Sequence, residues 1–598
     1  MSALCSQILY KYFSISIEGP YGGTNMDKNR ANVPEDLFTS DKYFHYIVQY
    51  VGDIQGEVSK VPGYYVTIIN NQYAMISTER ETDLNVDEPR FKTIEFAVQS
   101  AFFTLQQVSP IEAAKVNFLQ LELPLNLTGR GVDIIIIDTG IDYLSEEFID
   151  SRGETRIELI WDQTIPNLGK EQKIPVPYGT IYTREEIQKA IKAYREGGAP
   201  YEIVPSRDEV SHGTNMTGLI GGTGKKPEFK GVVPECNFVV IKLLEAYGYK
   251  KLYNLKINVF DISTIFTAFE FVERYIKINR KPRVVYFPLG TNLGNHKGNG
   301  VLELYIENIL KNNAIAVVTG AGNQAGKGSH TSGVITAVGQ RRAIDLYVAP
   351  GEQFIIVEIW VDQPNIMSLD IISPSGENTG TINPAINAIQ TFSYLFEGTT
   401  IKVNYFVPEE NTGDQLIRII FYNLQSGVWT MALTGEAILD GKYNAWIPQE
   451  GLIKPETRFI LSDPYGTFTN PGGSKYIITA AAYNQNNDNI LNYSGVAFIE
   501  DFINVIDIAA GGVNALTVAP NNQLAIVNGT SVSAAIVAGV CSMLFQWGIV
   551  EGNYPYMYSQ TIKTFLARGV STRPGDIYPN PQWGYGMLDA LKLFENII

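Results

Sequence analysis

Four short apolar runs, at residues 132–137, 238–243, 284–287 and 314–319, constrain this chain more than any other feature. Each is a nearly continuous block of Val, Ile, Leu, Phe and Ala, with no polar residue at every second position. Strands of that kind are buried on both faces, which is the situation in a parallel sheet covered by helices. Helical periods fall between and after the runs, at 264–278 and 301–312. The alternation predicts an α/β fold, an open parallel sheet with helices on both faces.

The rest of the chain divides by composition. At 598 residues it exceeds one ordinary core, so several domains are expected. Residues 1–35 are polar and rich in Gly and Asn, and read as a mobile leader. Residues 36–106 carry strand-like stretches at 46–51, 64–69 and 72–77, a small β-rich unit with room for a helix or two. The α/β pattern occupies 107–340. From 341 to 470 the character changes to strands at 346–361, 368–372, 400–406, 417–422 and 427–433. Turns such as Ser373-Pro374-Ser375-Gly376 and Asp440-Gly441 separate them. This stretch predicts an inserted all-β sandwich of the jelly-roll kind. The α/β pattern resumes near Pro471-Gly472-Gly473 and runs through 471–598.

A net charge of −16 argues against nucleic acid or an anionic membrane as the main partner. Cys5, Cys236 and Cys541 are too few for a disulfide scaffold, and Cys541 reads as a buried thiol in an apolar helix. Met1 to Ser16 has no basic segment followed by an apolar stretch, so no signal peptide is expected. The longest apolar run, 532–547, is shorter than a bilayer span.

The residues able to do chemistry are scattered but ordered. Asp138-Thr139-Gly140 ends the first apolar strand, and Ser211-His212-Gly213-Thr214-Asn215 opens a helix. Gly320-Ala321-Gly322-Asn323 follows the fourth strand, and Asn528-Gly529-Thr530-Ser531 leads into the last apolar helix. Singly, each reads more simply as a helix cap or a turn. Together they supply a carboxylate, an imidazole and a hydroxyl in the order Asp, His, Ser, with a side-chain amide to steady an oxyanion. Asp138 and His212 are 74 residues apart, but His212 and Ser531 are 319 apart. The expected β insertion accounts for that gap.

Through Ile137-Asp138-Thr139-Gly140-Ile141-Asp142, His212-Gly213-Thr214, Gly322-Asn323 and Gly529-Thr530-Ser531 the chain resembles the subtilase superfamily of serine proteases. The resemblance covers nearly all of 107–340 and 471–598 and implies a subtilisin-like fold with a propeptide at 36–106. It implies Ser531 as nucleophile, His212 as base, Asp138 as the orienting acid and Asn323 as the oxyanion donor. Pro288-Leu289-Gly290 looks like the strand that pairs with extended substrate. Where most subtilases place a proline soon after the nucleophile, this chain reads Ser533-Ala534-Ala535. That departure, the β insertion and the segment from Thr104 to Ala113 resemble the clostridial Csp germination proteases, in their catalytically complete, CspB-like form. The likeness implies limited proteolysis of a spore cortex hydrolase zymogen. It also implies synthesis in the mother cell and association with the spore. The extended stretch from Thr104 to Val108, just before Ser109-Pro110, predicts self-cleavage between Gln106 and Gln107, with a plain linker as the alternative. A general degradative subtilase and a pseudoprotease scaffold blocked by its propeptide stay open as alternatives. No cofactor is required by this chemistry. Calcium is possible, but the loop after the histidine helix, Gly222-Thr223-Gly224-Lys225-Lys226, carries two lysines and is poor company for a hard dication. His45, His296 and His330 show no ligand spacing and read as ordinary polar residues.

Overall fold

A computed structural model describes residues 34, 36–40, 42–79, 91–98, 102–105, 112–120, 125–167 and 169–597. Its centre is one twisted sheet. From the middle outward the parallel strands are Arg283–Tyr286 and Asp133–Asp138, then Asn237–Lys242 and Ile157–Asp162 on one side. On the other side follow Ile315–Gly320, Ile478–Asn484, Ile508–Gly511 and Met587–Leu588. Thr180–Thr183 and Val570–Ser571 close the two edges antiparallel. The Asp133–Asp138 strand shows why the continuous apolar runs were needed. Ile134 and Ile136 enter one core, beneath the helices His212–Gly221 and Thr530–Phe545. Ile135 and Ile137 enter the opposite core, with the helices Ile262–Ile278 and Val301–Leu310. The architecture is subtilisin-like α/β.

Helix Thr530–Phe545 is buried at every one of its 16 positions. It continues through a π-helical turn, Gln546–Val550, so the continuous helix is longer than the apolar run 532–547 suggested. By length and composition its 21 residues are enough to cross a membrane. Here 89% of its most apolar window is packed inside the protein, where a helix apolar all round belongs.

Before the α/β core, four antiparallel strands form a small sheet in the order Tyr64–Ile68, Tyr73–Glu79, Tyr43–Tyr50, Ile94–Val98. One face covers its own cluster with Ile54 and Val58 of a short helix. The other face docks on the α/β unit, where the Tyr73 ring meets Phe266 and Tyr305 at 5.8 and 5.6 Å.

Between Gly320 and Ile478 the chain leaves the central sheet and builds two antiparallel sheets around a shared apolar core. The six-stranded sheet runs in the order His330–Val334, Lys442–Trp446, Phe354–Val361, Gln415–Tyr422, Thr400–Phe406, Ala388–Ser393. The four-stranded sheet runs Ile366–Ile372, Gly427–Ala437, Arg341–Val348, Arg458–Phe459. The first strand, His330–Val334, precedes residue 341, and its pairing with Lys442–Trp446 makes it part of this unit. Its polar sequence His-Thr-Ser-Gly carries no strand signal of its own.

The insertion is seated firmly on the core. Trp446 is stacked between His296 of the α/β unit and His330, with ring centroids 4.3 and 4.7 Å away. Glu358 and Arg418 form a buried ion pair at 2.9 Å, and Glu358 also accepts the Gly294 N–H at 2.8 Å. The small sheet, the α/β core and the insertion meet around a cavity of about 90 Å³ lined by Phe96, Val98, Val301, Glu303, Trp360 and Leu416 among others.

Glu303 is only 5% exposed, and burial pushes its carboxyl up to about 7. An acid whose folded pKa lies above its unfolded value destabilises the fold as pH rises from the unfolded pKa towards the folded one. Glu303→Gln is therefore expected to raise the melting temperature at pH 8 and to give a much smaller gain at pH 5, as read by scanning calorimetry.

Candidate active site

Asp138 ends its strand at the carboxyl edge of the sheet, where open α/β folds place their chemistry. It is fully buried. Its two carboxylate oxygens lie 2.9 and 2.8 Å from His212 Nδ1, and its Oδ1 also accepts the Thr139 N–H at 2.7 Å. A carboxylate is an acceptor only, so Nδ1 carries the hydrogen and Nε2 is left as the basic nitrogen.

His212 opens its helix immediately after Ser211, which sits in the left-handed region at φ 77°. A non-glycine residue there needs outside support. Asp208 supplies it. Its Oδ1 accepts from Ser211 N at 2.8 Å and Thr139 Oγ1 at 2.9 Å, and its Oδ2 from Thr214 N and Oγ1 at 2.8 and 2.7 Å. Thr139 Oγ1 in turn accepts the Gly213 N–H at 2.9 Å. Asp208 thus ties the residue after Asp138 to the residues flanking His212. Gly213 allows the close approach, because a Cβ there would run into the Gly140 carbonyl.

Ser531 is the second residue of the buried helix. Gly529 precedes it at φ 129°, a conformation open to glycine, and lets the chain turn sharply into the helix. Tyr286, on the strand beside Asp138, donates its hydroxyl to the Ser531 carbonyl at 2.7 Å. Burial, and then the charge of Asp138, push the Tyr286 hydroxyl well up, so it stays protonated as a donor. Ser533 donates to Ala510 O at 3.0 Å. With its backbone held at these points, Ser531 still has a buried Oγ with no hydrogen-bond partner among the described residues. Buried hydroxyls are nearly always paired, so this one calls for an explanation.

Asn323 follows the Ile315–Gly320 strand. Its Oδ1 accepts from Thr530 N and Oγ1 at 3.4 and 3.2 Å, which turns the amide so that its donor group, Nδ2, faces away from Thr530. The Asn323 side chain is therefore fastened to the residue adjacent to Ser531.

Leu289–Gly290 pairs antiparallel with Phe102–Leu105, Leu289 opposite Leu105 and Gly290 opposite Thr104. On its other edge Phe102–Leu105 pairs with Val259–Asp261. The chain's own backbone therefore lies as the middle strand between these two walls. Gln106 and Gln107 follow directly and lie outside the described residues.

The profile of the Subtilase family matches residues 129–339 and 464–586, more than half of the chain. The chain belongs to the subtilase family. Its interruption at 340–463 coincides with most of the inserted sheets. The chain is similar to the CspB protease of Clostridium perfringens, with 26% identity and a TM-score of 0.71 over 81% of this chain and 98% of that one. A cold-adapted subtilisin-like serine proteinase aligns at 13% identity and a TM-score of 0.36, over 81% and 99%, too low to carry an argument. No curated protein matches. The subtilase is a serine endopeptidase.

Of the residues the sequence singles out, the fold brings His212 against Asp138 and ties Asn323 to Thr530, the neighbour of Ser531. Sequence reasoning did not find Asp208 or Tyr286. Asp208 lies in an irregular stretch with no period to flag it, and Tyr286 looks like one more buried strand residue. In the loop Gly222–Lys226, the N–H groups of Gly224 and Lys226 donate to Glu147 at 2.7 and 2.8 Å, and Lys225 pairs with Glu146 at 2.7 Å. Among the described residues no cluster of His, Cys, Asp and Glu has metal-holding geometry.

Removing Asp208 leaves several buried N–H and O–H donors unpaired, at about 1–3 kcal/mol for each such group before relaxation. Asp208→Ala is expected to cost roughly 2 kcal/mol or more in urea unfolding and to lower kcat. Asp208→Asn should recover part of both.

Proposed function

We propose that Asp138, His212 and Ser531 act as a catalytic triad with Asn323 as the oxyanion donor. The observation that carries this reading is the doubly contacted His212 Nδ1 beside Asp138, together with the buried, unpartnered Ser531 Oγ. Ser531 Oγ attacks the scissile carbonyl carbon while His212 Nε2 takes its proton. Asn323 Nδ2 donates to the oxyanion of the tetrahedral intermediate. The imidazolium, steadied by Asp138, returns the proton to the leaving amine, and the acyl-enzyme forms. Water activated by His212 then attacks the ester, and Ser531 is regenerated. Pro288-Leu289-Gly290 pairs with the extended substrate through main-chain hydrogen bonds, a mode tolerant of side-chain sequence.

In the same reading residues 36–106 are a propeptide, and the inserted sheets are a jelly-roll domain. The placement of Phe102–Leu105 between two walls of the core supports cleavage just beyond it, between Gln106 and Gln107, with the new terminus left in the cleft. The likeness to a CspB protease, on top of the sequence resemblance, supports limited proteolysis of a spore cortex hydrolase zymogen. The occupied cleft also supports a second reading, a scaffold permanently blocked by its own propeptide.

Intact mass and N-terminal sequencing of the wild type beside Ser531→Ala separate these outcomes. The wild type is expected to start at Gln107, with residues ending at Gln106 copurifying, and Ser531→Ala to stay full length. Asn323→Ala should slow processing by about 10²–10³. A full-length wild type would overturn self-cleavage and favour the blocked scaffold.

A further inference from the structure

The inserted sandwich reaches the Leu289–Gly290 wall and the loop that carries Asn323 through three neighbouring residues. Just past the strand Lys442–Trp446, Gln449 is 1% exposed and turns back towards the α/β core. Its Nε2 donates to the Gly290 carbonyl at 3.0 Å, and its Oε1 accepts the Asn292 N–H at 3.4 Å. The Asn292 side chain answers by donating to Ile447 O at 3.2 Å. The adjacent Glu450 N–H donates to Gln324 Oε1 at 3.0 Å, next to Asn323. The Glu450 carboxylate meets Lys327 at 2.7 Å.

Gly290 O and Asn292 N stand two residues apart on one strand edge, and groups at that spacing point the same way. An amide side chain that donates to one and accepts from the other does what a neighbouring strand would do there. Gln is suited to this because it carries both a donor and an acceptor on one plane. Leu289–Gly290 is only two residues long, shorter than an ordinary strand, and the Thr291–Asn470 bridge fixes its continuation on the far side of Gly290.

We infer that Gln449 of the inserted sandwich is a positioning residue for substrate. It holds the Gly290 edge in the place where an extended peptide pairs, so the sandwich is a working wall of the cleft as well as a packed neighbour. This rests on the reading of Ser531 as nucleophile and of Leu289–Gly290 as the pairing strand. It adds that reactivity at Ser531 and recognition of extended substrate are separable, and that Gln449 serves the second.

The test compares wild type, Gln449→Met and Gln449→Glu on two substrates. One is a small activated ester that reaches Ser531 without pairing along the strand. The other is a peptide extending four residues before the scissile bond. Loss of one buried bond that leaves its acceptor unpaired is worth about tenfold. Both variants are expected to lose about tenfold in kcat/KM on the peptide, mainly through KM, and to stay within about twofold on the ester. A parallel fall on both substrates, or no change on either, overturns the inference. Gln449→Glu keeps the shape and the acceptor while removing the donor, so it reads the same bond if Gln449→Met folds poorly. Amide hydrogen exchange across residues 289–292 reads it without turnover. It should quicken about tenfold in both variants while Arg283–Tyr286 stays protected, and unchanged exchange also overturns the inference. A wild type whose ester hydrolysis does not depend on Ser531 would instead strike the nucleophile assignment.

Discussion

Burial of the helix Thr530–Phe545 is the constraint on which the rest depends. A helix without a polar face has no stable place at the surface, so the sheet and its covering helices close around it. Its first turn then arrives at the carboxyl edge of the sheet in one position. Three contacts secure that arrival: Gly529 makes the turn, Tyr286 holds the Ser531 carbonyl and Ser533 bonds to Ala510. Gly539 faces Val232 so closely that a Cβ would collide, so the helix cannot slide along its groove. The placement of Ser531 is thus a consequence of core packing.

The histidine is placed by a different kind of interaction. Its helix starts from a left-handed serine, and the strain of that start is held by hydrogen bonds to Asp208. Asp138 and His212 meet through a short polar network that also includes Thr139 and Thr214, all of it shielded from water. In that shielded setting each bond is electrostatically stronger, and each loss is more costly, than at the surface. An apolar anchor for the serine and a polar one for the histidine leave the two groups independent in origin but convergent in space.

The long stretch between His212 and Ser531 is not a mere spacer. The inserted sheets contribute Trp446 to a stack between two histidines, an ion pair bonded to the Gly294 amide, and Gln449 bonded to the Gly290 carbonyl. The small N-terminal sheet is held by aromatic packing of Tyr73 on Phe266 and Tyr305, and its following strand crosses the cleft. Three units therefore shape one groove.

Periodicity decided much by itself. Strands buried on both faces must be nearly continuous in Val and Ile, so the parallel sheet was legible in runs such as the one ending at Asp138. Glycines beside Ser531 and His212 were legible because only glycine permits those turns and close approaches. The β character of the insertion was also legible, though not its first strand, His330–Val334, whose polar residues become a strand only by pairing with Lys442–Trp446. The apolar run 532–547 does not show how far the Thr530–Phe545 helix continues, because the π-turn past Phe545 leaves no mark in composition. Asp208, Tyr286 and Gln449 were beyond reach for a common reason. Their roles are bonds to backbone groups distant in sequence, and a hydrogen bond of that kind is specified by the folded path and not by any local pattern. Residue type and period settled which elements form. Tertiary packing alone decided which of their side chains meet, because close packing and buried hydrogen bonding exist only between segments already folded together.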